Sequence, residues 1–250
     1  METETLEKEY TIALLIDAEN ISYKYIPYLI EELKGFGKLT IRRVYGDFTT
    51  AILKPWKDIC NEHAIKPIQG NVVSSGKNNS DSALIIDAMD ILHDKKVNAF
   101  CLATSDSDFT SLAIRIREEG LFVIGAGENK TTKAFIETCD RFIRLGNEEN
   151  KKNKIRKTKG KNSKDSKIDI FSDFDEVTKE KISEIKARSL LIIENRGGGE
   201  AIKLALFMND LYRYYPDFNV FDFGFKTNIE FFKSLGFSIK KDEKSALIIK

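Results

Sequence analysis

The hydrophobic positions of this chain come in short unbroken runs separated by longer stretches of helical period. Tyr10–Ile16 (YTIALLI) is a continuous apolar run ending in a polar cluster, the pattern of a strand buried on both faces of a parallel sheet. Similar runs recur at Leu39–Tyr45, Ala99–Ala103 and Leu121–Gly125. Between them the spacing predicts helices over Ile26–Leu33, Pro55–His63, Ser82–His93 and Phe109–Glu119. Strands alternating with helices imply an α/β fold, a doubly wound parallel sheet with right-handed crossovers. In such sheets ligands bind outside the carboxyl ends of the strands. The polar residues follow that rule. Asp17 comes directly after the first apolar run, Asp47 after Leu39–Tyr45, and Ser105–Asp108 after Ala99–Ala103.

The pattern changes at Asn147. From there to Lys167 the chain holds a single apolar residue, Ile155, too little to offset chain entropy, so this stretch is expected to be a disordered linker. Periodic segments then resume. A helix over Glu176–Glu194, a Gly-rich turn at Arg196–Gly199 and a helix over Ala201–Tyr214 are followed by a helix at Thr227–Leu235. Phe237–Lys241 and Ala246–Lys250 would close a hairpin. That reads as a small winged-helix-like α+β domain. The expected division is 1–146, 147–167 and 168–250.

Charge sharpens the division. The net charge is +1, yet residues 1–150 carry 18 Lys+Arg against 24 Asp+Glu, a balance of −6. Residues 151–167 carry nine cations against Asp165, and residues 168–250 balance at −1. The basic hinge suits either a nucleic-acid backbone or a solubilising linker. No run of eighteen apolar residues predicts a membrane span, and Met1–Tyr10 lacks a signal-peptide pattern. Cys60, Cys101 and Cys139 are far apart with no CxxC pairing, and read as buried thiols of a cytoplasmic protein.

The acids at the strand ends are the candidate chemistry. Hard cations such as Mg²⁺ or Mn²⁺ take oxygen ligands, and clustered carboxylates oppose their own joint ionisation unless a cation joins them. The two histidines, His63 and His93, fall in or at the end of helical patterns, which argues against a histidine base. Gly125–Gly127 (GAG) lacks the full dinucleotide fingerprint and is thin support for a Rossmann-like small-ligand binder.

The stretches ALLIDAEN (Ala13–Asn20), VYGDF (Val44–Phe48), NNSDSALIIDAMD (Asn78–Asp90) and LATSDSDFTSLA (Leu102–Ala113), in that order, resemble the NYN domain. The resemblance is to its LabA-like branch, related to PIN nucleases, and Gly120–Leu145 fits the same pattern. It implies a PIN-like fold and a metal-dependent ribonuclease that uses metal-activated water and leaves 5′-phosphate and 3′-hydroxyl ends. Carried over by position, it implies Asp17, Asp81, Asp106 and Asp108 as catalytic acids and Mg²⁺ or Mn²⁺ ligands, with Asn20 as an orienting residue. Each has a plainer reading. Asp17 would close a turn, Asn20 would cap a helix from Ile21, Asp81 would favour a helix dipole behind a Ser80 cap, and Asp108 would cap the helix from Phe109. Glu19 reads as solvated surface. Asp47 fits cleft or turn equally, and Asp87, about 9 Å beyond Asp81 along the helix, reads as solvated or sheet-packed. Lys77, Lys130, Thr131 and Thr132, with Lys133, are candidate contacts to substrate phosphates. Residues 168–250 resemble, less closely, the LOTUS (OST-HTH) domain, which implies an RNA or protein partner. Its aromatics, Phe207, Tyr212, Tyr214, Phe221, Phe223, Phe231 and Phe232, are expected to be mostly core. The alternative to a nuclease is a non-catalytic RNA-binding scaffold that keeps the fold.

Overall fold

A computed structural model describes residues 10–70, 79–146, 174–198, 200–241 and 246–249. Lys77, Gly199 and the predicted linker 147–167 lie outside the described residues. The chain divides into two compact units, Met1–Gly146 and Asn147–Lys250.

In the first unit the apolar runs become parallel strands: β1 (Tyr10–Asp17), β2 (Gly37–Gly46), β3 (Lys66–Gln69), β4 (Ala99–Ala103), β5 (Phe122–Gly127) and β6 (Arg141–Arg144). Their order in the six-stranded sheet is β3-β2-β1-β4-β5-β6. The chain reverses direction across the sheet between β1 and β4, the kind of switch point at whose strand carboxyl ends ligands bind in such sheets. Helices α1 (Ile26–Lys34), α2 (Trp56–Glu62), α3 (Asn79–Asp94), α4 (Thr110–Glu118) and α5 (Lys133–Thr138) cover both faces. Because successive side chains of a strand point to opposite faces, β1 feeds two cores. Ile12, Leu14 and Ile16 pack with Leu29 and Leu33 of α1 and Trp56 of α2. Ala13 and Leu15 pack with Tyr45 and with Leu84, Ala88 and Ile91 of α3.

This is the predicted doubly wound α/β class, with differences in detail. Strands β3 and β6 were not expected. Both strands have four residues, and β3 contains Pro67, a residue that reads as a breaker but is tolerated on the edge of a sheet. Helix α3 starts at Asn79, so Ser80 sits inside its first turn and is not its cap. A 3-10 turn, Ser107–Phe109, precedes α4, so the helix predicted from Phe109 begins one residue later.

The second unit pairs helices with a small sheet. Helix α6 (Glu176–Gly197) is capped by Asp175, whose carboxylate accepts from Thr178 N at 2.8 Å. It ends on Gly198 in the left-handed region at φ 56°, so this part of the Gly-rich turn is accounted for by a helix terminus. The helix predicted from Ala201 is preceded by a two-residue strand, β7 (Ile202–Lys203), and runs from Leu204 to Tyr214 as α7. Helix α8 (Asn228–Ser234) and the antiparallel strands β8 (Ser238–Lys241) and β9 (Ala246–Ile249) complete it, in the order β7-β9-β8. Phe207, Phe218, Phe223, Phe231 and Phe232 form the core, whereas Tyr214 and Phe221 are exposed, in keeping with aromatics that are mostly core.

Candidate metal centre at the strand ends

Asp17 is the last residue of β1 and is 1% exposed. A buried carboxylate needs donors, and four reach it. Oδ1 accepts from Glu19 N at 3.1 Å and Asn20 N at 3.2 Å. Oδ2 accepts from Asn20 Nδ2 at 2.6 Å and Thr104 Oγ1 at 3.0 Å. Asn20 therefore orients Asp17 and caps no helix; Ser22 caps the 3-10 turn Tyr23–Tyr25. The Thr104 hydroxyl also accepts from Asp106 N at 3.1 Å, so one side chain links the end of β1 to the loop after β4. Asp106 then caps the next turn, accepting from Asp108 N at 3.0 Å. That reverses the expectation for Asp108, which lies exposed in the first turn and caps nothing.

Asp81 stands in the first turn of α3, half-buried. Burial, and then the negative charges of Asp17, Asp106, Glu19 and Asp108, push its carboxyl up to about 6. The acids of the motif set thus share one electrostatic neighbourhood, and Glu19, expected to be mere surface, belongs to it. Thr104 is the other member that the sequence reading passed over. Its position two residues before Asp106 at a strand end is the signal that was available.

The donor set suits a hard divalent cation, being made of carboxylates whose mutual repulsion a cation would relieve. Among the described residues no three such side chains stand close enough to hold one ion together. Two carboxylates, with water and substrate phosphate oxygens completing the shell, is the arrangement Mg²⁺ commonly adopts.

A stability prediction follows from Asp81. Its folded-state value lies above the usual carboxylate range, so the folded state favours the protonated form. The stability this contributes is present below about pH 4 and lost as pH rises through about 6. In EDTA, Asp81→Asn is expected to stabilise the protein by roughly 1 kcal/mol at pH 7.5, a figure reduced for solvent screening. Thermal melts at pH 7.5 and pH 4.5 should show the gain at the higher pH and little at the lower.

The remaining candidates sort by their contacts. Asp47 closes its own turn, accepting from Thr49 N at 3.1 Å, Thr49 Oγ1 at 2.6 Å and Gln69 Nε2 at 2.9 Å, which hold it below the usual carboxylate range. Asp87 is sheet-packed, bonded to Arg43 and to the Tyr45 hydroxyl. The Thr131 hydroxyl turns inward to Glu128 O at 2.7 Å, while Lys130 and Thr132 are exposed. His63 and His93 lie at helix ends, and all three cysteines are free and buried. Gly125 and Gly127 are interior positions of β5. A Cβ at Gly125 would meet Cys139 Sγ at 2.6 Å, and one at Gly127 would meet Thr131 Oγ1 at 2.4 Å. Close packing accounts for the GAG stretch, so the dinucleotide reading loses its support.

The family model of the NYN domain matches residues 11–146. A crystal structure of a protein of unknown function from Vibrio parahaemolyticus is similar at 18% identity, covering 58% of this chain and 96% of that one, with a TM-score of 0.46. No curated protein matches the chain.

Proposed function

Because the chain belongs to the NYN domain family, a PIN-like nuclease family whose members typically use divalent metals, we propose that it is a Mg²⁺- or Mn²⁺-dependent ribonuclease of the LabA-like branch. The carrying observation is the gathering of acids at the sheet's switch point, where burial first and then the charges of Asp17, Asp106, Glu19 and Asp108 raise Asp81 to about 6. Asp17, Asp81 and Asp106 are the proposed ligands of one or two ions, no more than two of them to an ion, with Asp108 in support. A bound divalent ion would neutralise phosphodiester charge and make water more acidic. The chain's own part is orientation. Asn20 and Thr104 hold Oδ2 of Asp17, and Thr104 ties that carboxylate to the backbone of Asp106. Water adds to phosphorus as the P–O3′ bond breaks, leaving 5′-phosphate and 3′-hydroxyl ends. Lys77, Lys130 and Thr132 are the proposed phosphate contacts.

The second unit is proposed as a LOTUS-like module, residues 168–250, joined through the basic segment 147–167. Its exposed Tyr214 carries the Arg188 guanidinium over its ring at 4.3 Å, a surface suited to RNA or a protein partner. Among the described residues no helix is long and apolar enough to cross a membrane. The buried free thiols fit a reducing compartment, and the cytoplasm is the proposed location.

The test is labelled single-stranded RNA incubated with the full chain in Mn²⁺, Mg²⁺ or EDTA, beside single-stranded DNA of the same sequence. Cleavage of RNA that needs the metal is expected, and no cleavage with any divalent ion sinks the assignment. That no three carboxylates among the described residues stand close enough to share an ion favours one second reading, a scaffold that binds RNA without cutting it. Retained RNA binding without turnover would select it.

A further inference from the structure

Tyr45 is fully buried near the end of β2, in register with Asp17 of β1. Its main-chain carbonyl accepts from Ala18 N at 2.9 Å, holding the turn that carries the Asp17 carboxylate. Its hydroxyl donates to Asp87 Oδ2 at 2.5 Å, and Asp87 belongs to α3, the helix whose first turn carries Asp81. Arg43, two residues earlier and therefore on the same face of β2, pairs with the other Asp87 oxygen. Leu84 and Ala88 of α3 pack in the same core as Tyr45. Apolar packing alone permits a helix to slide by fractions of an ångström. A charged pair plus a phenol bond, both on the half-buried Asp87, resists that slide, and Asp87 is too far along the helix to join the acids itself.

We propose that Tyr45 is a positioning residue, a brace whose carbonyl and hydroxyl together set the end of β1 and helix α3 relative to each other, and so set Asp17 relative to Asp81. This rests on the metal-site reading above. Replacing partners that orient metal ligands commonly costs ten- to a hundredfold in affinity. Tyr45→Phe deletes one hydroxyl and leaves the ring, the carbonyl bond and the Arg43–Asp87 pair.

The experiment is Mn²⁺ binding to the full chain by titration calorimetry, with thermal melts on the same samples. Tyr45→Phe is expected to bind Mn²⁺ about tenfold more weakly than wild type. Asp87→Asn, which keeps an acceptor for the phenol, should fall between them. Ile116→Val removes a methylene from the same core at a similar stability cost and is expected to bind as wild type. Wild-type affinity in Tyr45→Phe overturns the brace alone. Equal weakening in Tyr45→Phe and Ile116→Val overturns it too, because general loosening then explains the loss. Wild-type protein that takes up no Mn²⁺ overturns the metal-site reading first, and the brace with it.

Discussion

Asp17→Asn is expected to lower RNA cleavage on the order of a hundredfold or more, and to destabilise the fold as well. The two losses have separate origins. The amide brings one NH₂ to a place where all four neighbours are donors: Glu19 N, Asn20 N, Asn20 Nδ2 and Thr104 Oγ1. At least one donor is left facing another, inside a site that is 1% exposed. Burying such a mismatch costs about 1–3 kcal/mol. The catalytic loss comes from removing a full negative charge from the proposed cation site. Asp81→Asn is the counterpart that separates them. It should also abolish most cleavage, yet raise the melting temperature at pH 7.5, because it removes a charge that burial, and then repulsion from the neighbouring acids, disfavours. Cleavage assays and melts on the two variants suffice. Cleavage at wild-type rate in Asp17→Asn removes that residue from the site, and a lower melting temperature in Asp81→Asn removes the crowding argument.

Gly127→Ala should damage both stability and cleavage, whereas Gly125→Ala should damage stability alone. At Gly127 the new Cβ would stand 2.7 Å from the Thr104 carbonyl oxygen and 2.4 Å from Thr131 Oγ1. A side chain can rotate away, but the carbonyl moves only if the loop after β4 moves. That loop holds Thr104, the link between Asp17 and Asp106. Overpacking of this kind costs about 1–3 kcal/mol, and here the strain falls on the residue that aligns two acids. At Gly125 the nearest atoms are Cys139 Sγ and the Phe142 ring, both side-chain atoms remote from the acids. Comparing kcat at saturating Mn²⁺ with unfolding midpoints for both variants decides it. Parallel losses in the two would mean that the Thr104 link does not transmit the strain.

The long elements were legible because their signal is local. Strands β1, β4 and β5, buried on both faces, leave unbroken apolar runs, and β2 leaves one interrupted by Arg42 and Arg43. Helices α1 and α3 show helical spacing within a few residues of their true ends. Strands β3 and β6 were not legible, since KPIQ and RFIR have too few positions to show a period. Asp17, Asp81 and Asp106 were singled out from strand-end placement and motif order. Thr104 was missed because its place two residues before Asp106 at a strand end is a weak mark, and its partner Asp17 is distant in the chain. Its role exists only when β1 and β4, 87 residues apart at this contact, lie side by side. Asp87 was read as sheet-packed or solvated, but its partners Arg43 and Tyr45 are likewise visible only in three dimensions.

The shortness of β3 and β6 has a consequence for how this protein behaves when crowded. They are the outermost strands of the six-stranded sheet, and an outer strand offers unpaired backbone groups to any other chain. Here a newcomer meets only four residues on either side. At one border Pro67 has no N–H to give, and Lys66 adds a charge; at the other, Arg141 and Arg144 begin and end the strand. Strand-by-strand templating between copies, the first step toward ordered aggregates, finds little to grip. The strongly hydrophobic strands that could seed it, β1 and β4, are shut in the middle of the sheet.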